Sequence, residues 1–297
     1  MDAGRSILSR MMPRRPSPFG CKIMLPLVFI GVAQAAEADW RSIDWSAHEF
    51  HPVITMPPDA TIMDLTAGPH AHGYGISDTH SYVCRGFRAW QCRRKQWSIG
   101  RWCEHRPNMY GGAGTLFEGG SCLEGFCGHR VVHMAVDLGA PVNTPIHAFH
   151  DGWIEHFGFQ EGLGDTGHTI ITRHVLNGTT FFALIGHLTS SSMAYKHLGM
   201  PFSRGEVLGW VGDSLRRENG GWPPHVHFQL SMRRPKTHDL PGVVALADLE
   251  RAKDNFPDPR LVLGPIYPGG CAGVEAPSPP SKLRIKIDED GYESRLE

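Results

Sequence analysis

Two short spellings in this sequence set metal-ligand side chains at fixed spacing. His133 and Asp137 stand four apart in RVVHMAVD, and His225 and His227 two apart in PPHVHFQL. Imidazole nitrogen and carboxylate oxygen are donors that suit Zn2+, and three protein ligands around one open position make a centre able to do chemistry. His187, in FFALIGHL, is a further imidazole close to a strand end. Imidazole titrates near neutral pH, so a histidine outside the ligand set can take and return a proton.

Spelling alone does not select these residues, because the chain holds 18 histidines. His-x3-Asp recurs at His147/Asp151, and His-x-His recurs at His70/His72. Local context separates the pairs. His133 and Asp137 fall in an extended apolar run, which puts both side chains on one face. His225 and His227 share a face of HVHFQL while Val226 and Phe228 take the other. Asp151-Gly152 reads as a turn, and His70/His72 lies in a glycine-rich loop, so neither pair has a strand to aim its ligands.

The elements that must position these residues read as short strands. Residues 131–136, 153–158, 168–176, 179–186, 206–211 and 225–231 are β-branched or aromatic runs punctuated by Gly, Pro, Asn and Asp, the pattern of an antiparallel sheet. Asn177-Gly178 predicts a two-residue hairpin turn, since both of its positions need positive φ. That hairpin carries His187 to its far end. A helix is expected over 243–253 (VVALADLERAK), with its apolar residues on one face. The fold class expected is therefore mainly β, an antiparallel sheet core with a loop-rich, Cys-containing N-terminal region.

Length and composition bound the function. With 297 residues, 41% of them hydrophobic, the chain can bury a substantial core. A formal net charge of −1 gives no support to nucleic-acid binding by bulk charge. No apolar run reaches the ~18 residues a membrane-spanning helix needs. Arg14, Arg15 and Lys22 precede the short apolar stretch 23–32, which is followed by Ala33-Gln34-Ala35. That order predicts a signal peptide over 1–35 and a secreted, periplasmic or extracellular location. Past it six cysteines remain, at 84, 92, 103, 122, 127 and 271, an even number that suggests disulfides whose pairing the sequence leaves open. The domain organisation expected is a loop-rich, disulfide-tied region over 36–128, a domain carrying the metal-ligand motifs over 129–264, and a disordered tail over 265–297.

The order of the motifs carries a family resemblance. HMAVDLGAPVNTPIHAFHDGWIEHFG, then FFALIGHL, then PPHVHFQL resemble the three successive motifs of the lysostaphin/LytM-type zinc metallopeptidases, the glycyl-glycine endopeptidase family with a duplicated-hybrid-motif β-sheet core. SIGRWCEHR, ENGGWPPHVHFQL and FPDPRLVLG extend the likeness to a variant of this domain found between kinase-like and aminotransferase domains in large proteins. Val142-Asn143 stands where the family has a small residue and Gly. Ile185 stands where it has Tyr, which implies an altered substrate groove.

The resemblance implies that His133, Asp137 and His227 bind Zn2+, with His187 and His225 as the catalytic histidines flanking the open position. It implies a secreted zinc metalloendopeptidase acting on peptides or on peptidoglycan cross-links. Two alternatives stand beside that reading. One is a catalytically silent, metal-stabilised module that binds cell wall or a protein. The other is a D-Ala-D-Ala carboxypeptidase-type zinc enzyme, in which the His-to-Asp spacing is wider.

Overall fold

The computed structural model describes residues 39–66, 97–107, 109, 122–162, 164–213 and 218–273, together with the backbone of 286–287 and 293–294. The expected signal peptide, His70/His72, Cys84 and Cys92 lie outside the described residues. In chain order the strands are β1 (Thr61–Ile62), β2 (Ser98–Gly100), β3 (Glu104–His105), β4 (Val132–His133), β5 (Val136–Gly139), β6 (Pro145–His147), β7 (Gly152–Gln160), β8 (Gly167–Leu176), β9 (Thr179–Leu188), β10 (Pro201–Phe202), β11 (Val207–Trp210), β12 (His225–Ser231) and β13 (Val243–Val244). Two short helices, α1 (Leu249–Asn255) and α2 (Arg260–Leu263), follow.

An eight-stranded sheet runs in the order β1-β2-β5-β12-β9-β8-β7-β10. Its pairs are antiparallel except β1 with β2. A three-stranded sheet, β13-β4-β3, and a pair, β11-β6, complete the region around the site. The hairpin at 177–178 forms as the sequence predicts: Leu176 pairs with Thr179, and Asn177 and Gly178 take φ of 50° and 79°.

Strand alternation divides the core into two apolar clusters. Val226, Phe228 and Leu230 of β12 join Val136, Leu138, Ala183 and Ile185 in the first. Phe182, Leu184 and Ile171 join Val132, Met134, Leu249 and Phe256 in the second. His225, His227 and Gln229 alternate with Val226, Phe228 and Leu230, and so take the opposite face. At roughly 25 cal/mol per Å2 of apolar surface removed from water, such burial is the main favourable contribution to the fold.

Three expectations change. His133 and Asp137 do not share one strand: β4 ends at His133, β5 begins at Val136, and the two belong to different sheets. The expected helix at 243–253 is instead a short strand at 243–244, a 3-10 turn at Leu246–Asp248, and an α-helix that starts at Leu249. Val243 pairs with His133, and that tertiary pairing overrides the local helical pattern. Ile185, 1% exposed, points into the core with Phe228 and Ile170, so it does not line a groove beside the histidines.

Residues 265–273, at the head of the expected tail, pack on the domain. Tyr267 is buried, its hydroxyl accepts from the Trp102 amide, and Cys271 is bridged to Cys103. Cys122 and Cys127 form a second, local bridge.

Candidate metal centre

β12 brings the ligands together. In its ladder with β5, His227 stands opposite Asp137 and His225 opposite Gly139. Asp137 Oδ1 then lies 3.2 Å from His133 Nε2, 3.5 Å from His227 Nδ1 and 3.7 Å from His225 Nε2. His133, Asp137 and His227 each offer one ligand atom, all within 4.8 Å of one another, the one such group of three among the described residues.

His187 enters by a different device. By alternation it belongs with Ala183 and Ile185 on the other face of β9, but its φ is +63°. That left-handed conformation is costly for a residue with a Cβ. It is held by two backbone bonds, from the His187 amide to the Thr166 carbonyl and from the Gly212 amide to the His187 carbonyl, both 2.8 Å. The ring thereby lands 4.2 Å, centroid to centroid, from that of His225. All five expected site residues converge.

Each of the four imidazoles spends its ring proton away from the centre. His133 Nδ1–H donates to the Arg101 carbonyl (3.2 Å), His187 Nδ1–H to the Asn219 carbonyl (2.9 Å) and His225 Nδ1–H to the Pro223 carbonyl (2.6 Å). His227 Nε2–H donates to Gln229 Oε1 (3.2 Å), and the Gln229 amide NH2 donates to the Pro241 carbonyl, which can only accept. The nitrogens facing the centre are therefore bare lone pairs. Asp137 Oδ1 is also buried there without a hydrogen-bond partner.

Electrostatics keep the set in that state. Burial, with the Arg106 charge beside it, pushes His133 down to about 4. Burial and the neighbouring His225 hold His187 well below the ordinary histidine value. Burial also lowers His225, against the opposing pull of Asp137. For Asp137 burial acts to raise the carboxyl, but the neighbouring His133 ring and the Arg106 guanidinium outweigh it and hold it well below the usual carboxylate range. Unprotonated acceptors packed this closely repel one another unless a cation lies among them. Two imidazoles and a carboxylate are donors that fit Zn2+.

The sequence reading missed the side chains behind the ligands. Arg106 Nη1 donates to Asp137 Oδ2 (2.9 Å), and Arg106 Nε donates to Glu104 Oε2 (2.8 Å). Gln229 continues the alternation of His225 and His227, and that spacing was the available signal for it. Arg106 and Glu104 sit in SIGRWCEHR, where nothing in the spacing points to a partner 31 residues downstream. The decoy pair does not converge: His147 Nδ1–H donates to the Gly205 carbonyl, and Asp151 Oδ1 accepts from the Arg204 amide. His174 is a core histidine, with Phe149 and Phe181 as ring neighbours. His168 donates to the Glu218 carbonyl and steadies the loop that carries Asn219.

Fold and site together define a β-sheet protein with a His/Asp/His group suited to holding a metal ion, flanked by two more histidines. Residues 131–239 match the model of Peptidase family M23, and the chain contains a peptidase M23 domain over that stretch. It is 34% identical over 121 residues to the DD-carboxypeptidase/endopeptidase Mpg of Neisseria meningitidis serogroup B and to that of Neisseria gonorrhoeae. The match covers 41% of this chain and 25% of each relative, so the chain spans about a quarter of the length of these relatives. Among solved structures, it is similar to the catalytic domain of lysostaphin from Staphylococcus simulans: 18% identity, 59% of this chain, 96% of that one, TM-score 0.32. It is also similar to a zinc-containing peptidase from Vibrio cholerae: 20% identity, 35% of this chain, 28% of that one, TM-score 0.28.

Proposed function

We propose that this chain is a secreted zinc metalloendopeptidase that hydrolyses peptide bonds in peptidoglycan cross-links. The observation that carries the reading is the convergence of bare imidazole nitrogens on an ionised, unpartnered Asp137 Oδ1 inside a peptidase M23 domain. His133, Asp137 and His227 are the ligands, and His187 and His225 the catalytic pair. Zn2+ held there would supply Lewis acidity, polarising a scissile carbonyl and lowering the pKa of a water toward neutrality.

The remaining work falls to the chain. His225 Nε2 accepts the proton of the attacking water and returns it to the departing amine; the Asp137 carboxylate, 3.7 Å away, stabilises the imidazolium formed in between. His187 is held more firmly in its neutral form, with its Nδ1–H fixed on Asn219. Its Nε2, a bare acceptor, takes a hydrogen bond from the attacking water and orients it. Cystine cross-links at 103–271 and 122–127 support an oxidising compartment. No helix among the described residues is long and apolar enough to cross a membrane.

The test is metal content of the purified chain, followed by digestion of purified peptidoglycan and of a pentaglycine peptide. One zinc per chain and release of new amino groups from peptidoglycan is the expected result. Zinc without cleavage of either substrate overturns the enzyme reading in favour of a silent, metal-stabilised module.

A further inference from the structure

Residues 101–106 form a strap across the back of the proposed centre, outside the segment that matches the peptidase family. The strap is tied down at both levels of structure. The Cys103 amide donates to the His133 carbonyl and the Arg106 amide to the Val131 carbonyl, each 2.7 Å. Cys103 is bridged to Cys271, and the His105 amide donates to the Ala272 carbonyl.

From this strap we propose that Arg106 is a positioning residue for the metal ligand Asp137. Its guanidinium takes Oδ2 out of play and leaves Oδ1 alone facing the centre, as a one-oxygen ligand of fixed direction. The inference rests on the zinc reading above and adds the group that orients one of its ligands.

Several observations carry it. Arg106 is fully buried, and so is Glu104, its second partner. A buried ion pair is seldom the cheapest way to stabilise a core, because desolvation offsets its attraction. An apolar pair of that volume serves packing as well, so packing does not account for a guanidinium here. What the guanidinium does uniquely is divide the two Asp137 oxygens: Oδ2 receives its N–H, and Oδ1 receives nothing. Glu104 in turn fixes Arg106. Its Oε1 accepts from the Leu65 amide and from Arg101 Nε and Nη2, which leaves Oε2 for Arg106 Nε. Arg101 closes the circuit, because its carbonyl takes the His133 Nδ1 proton. One strap thus orients two of the three proposed ligands, which is the task of groups behind a metal site.

Gly100 keeps the approach open. A Cβ there would sit 2.9 Å from both Arg106 Nη2 and Asp137 Oδ2.

The experiment measures zinc affinity by chelator competition, and the absorption spectrum of the Co2+-loaded chain, for wild type and two variants. Arg106→Met combined with Glu104→Gln removes both charges of that pair together, leaving Arg101 its bond to Asp64 and Asp137 the histidines around it. Arg106→Lys keeps the charge but loses the fork of donors. The double variant is expected to fold, by circular dichroism, to bind zinc about 10- to 100-fold more weakly, and to give an altered Co2+ spectrum as Oδ2 becomes free to join the metal. Arg106→Lys is expected to fall between it and wild type. Wild-type affinity and an unchanged spectrum in either folded variant overturn the proposal, even if thermal stability drops. If wild type itself binds no more zinc than His227→Ala, the metal reading fails and this inference with it; if only the strap variants match wild type, this inference alone fails.

Discussion

His133 Nε2 and His227 Nδ1, 94 residues apart in the chain, face each other across 3.2 Å with the ring proton of each committed elsewhere. Neither nitrogen can donate to the other without giving up its bond to the Arg101 carbonyl or to Gln229. The pair is poised to share a third partner that is electron-poor, and Asp137 Oδ1 points to the same place.

The first prediction separates ligands from proton carriers. Asp137→Ala or His227→Ala is expected to remove stoichiometric zinc, because two donors do not hold the ion against competition. His225→Ala is expected to keep zinc and to lower turnover by about 10^2- to 10^4-fold, the usual range for a lost general base. Metal analysis of each variant beside a peptidoglycan assay checks the split. Full zinc in an Asp137→Ala/His227→Ala double variant removes the assignment altogether.

A second prediction concerns Gly100. The three atoms that a new methyl would meet first all belong to the buried Arg106–Asp137 pair, so they cannot swing aside as the tip of an exposed side chain does. Gly100→Ala is expected to cost about 1–3 kcal/mol of stability, as overpacking usually does, and to weaken zinc binding. Gly178→Ala is the control: that glycine has open space around it and only its positive φ of 79° to defend. Its expected loss appears in thermal stability and leaves zinc affinity unchanged.

The contrast between these residues shows how much could be read in the sequence. His225, His227 and Gln229 follow one another at period two, so a strand reading places them on one face. Asn177-Gly178 specifies its own turn. His133 and Asp137 were found for an incomplete reason, since the break at Met134-Ala135, not a continuous strand, brings them together. Arg106 was hidden because its partner is set by a ladder between β2 and β5, with Gly100 opposite Asp137. Long-range pairing of that kind has no local spacing to betray it. The helix expected at 243 failed for the same reason: Val243 and Val244 have ladder partners on β4 that no window of sequence contains.

Acid sensitivity is expected to come partly from a histidine remote from the site. His174 is buried between aromatic rings, its Nδ1–H donating to the Asp151 carbonyl and its Nε2 accepting from the Thr172 hydroxyl. Burial pushes it down to about 3 from 6.5. The unfolded chain therefore binds a proton below pH 6.5 that the folded chain refuses, so stability is fully present above that pH and is lost as pH falls toward 3. At pH 5 the loss from this group is about 2 kcal/mol. Thermal melts from pH 7.5 to 4.5 are expected to show a shallower acid slope in His174→Gln than in wild type. Parallel slopes remove His174 from the account.

The two disulfides among the described residues are expected to differ in what they protect. Cys103 and Cys271 are separated by 168 residues, whereas Cys122 and Cys127 are separated by five. Closing the longer loop removes more freedom from the unfolded chain, a difference of about 3 kcal/mol in the chain-entropy treatment. The longer bridge also anchors the strap that carries Arg101 and Arg106, while the shorter one closes a turn of its own around the Leu123–Phe126 bridge. Cys103→Ser/Cys271→Ser is thus expected to lower the melting temperature more than Cys122→Ser/Cys127→Ser, and to weaken zinc affinity at a temperature where the chain is still folded. The second effect is the telling one, because loss of unfolded-state constraint alone moves stability and leaves the metal affinity of the folded state where it was. Equal zinc affinities in the two cystine variants, measured well below both melting temperatures, separate the strap from the centre.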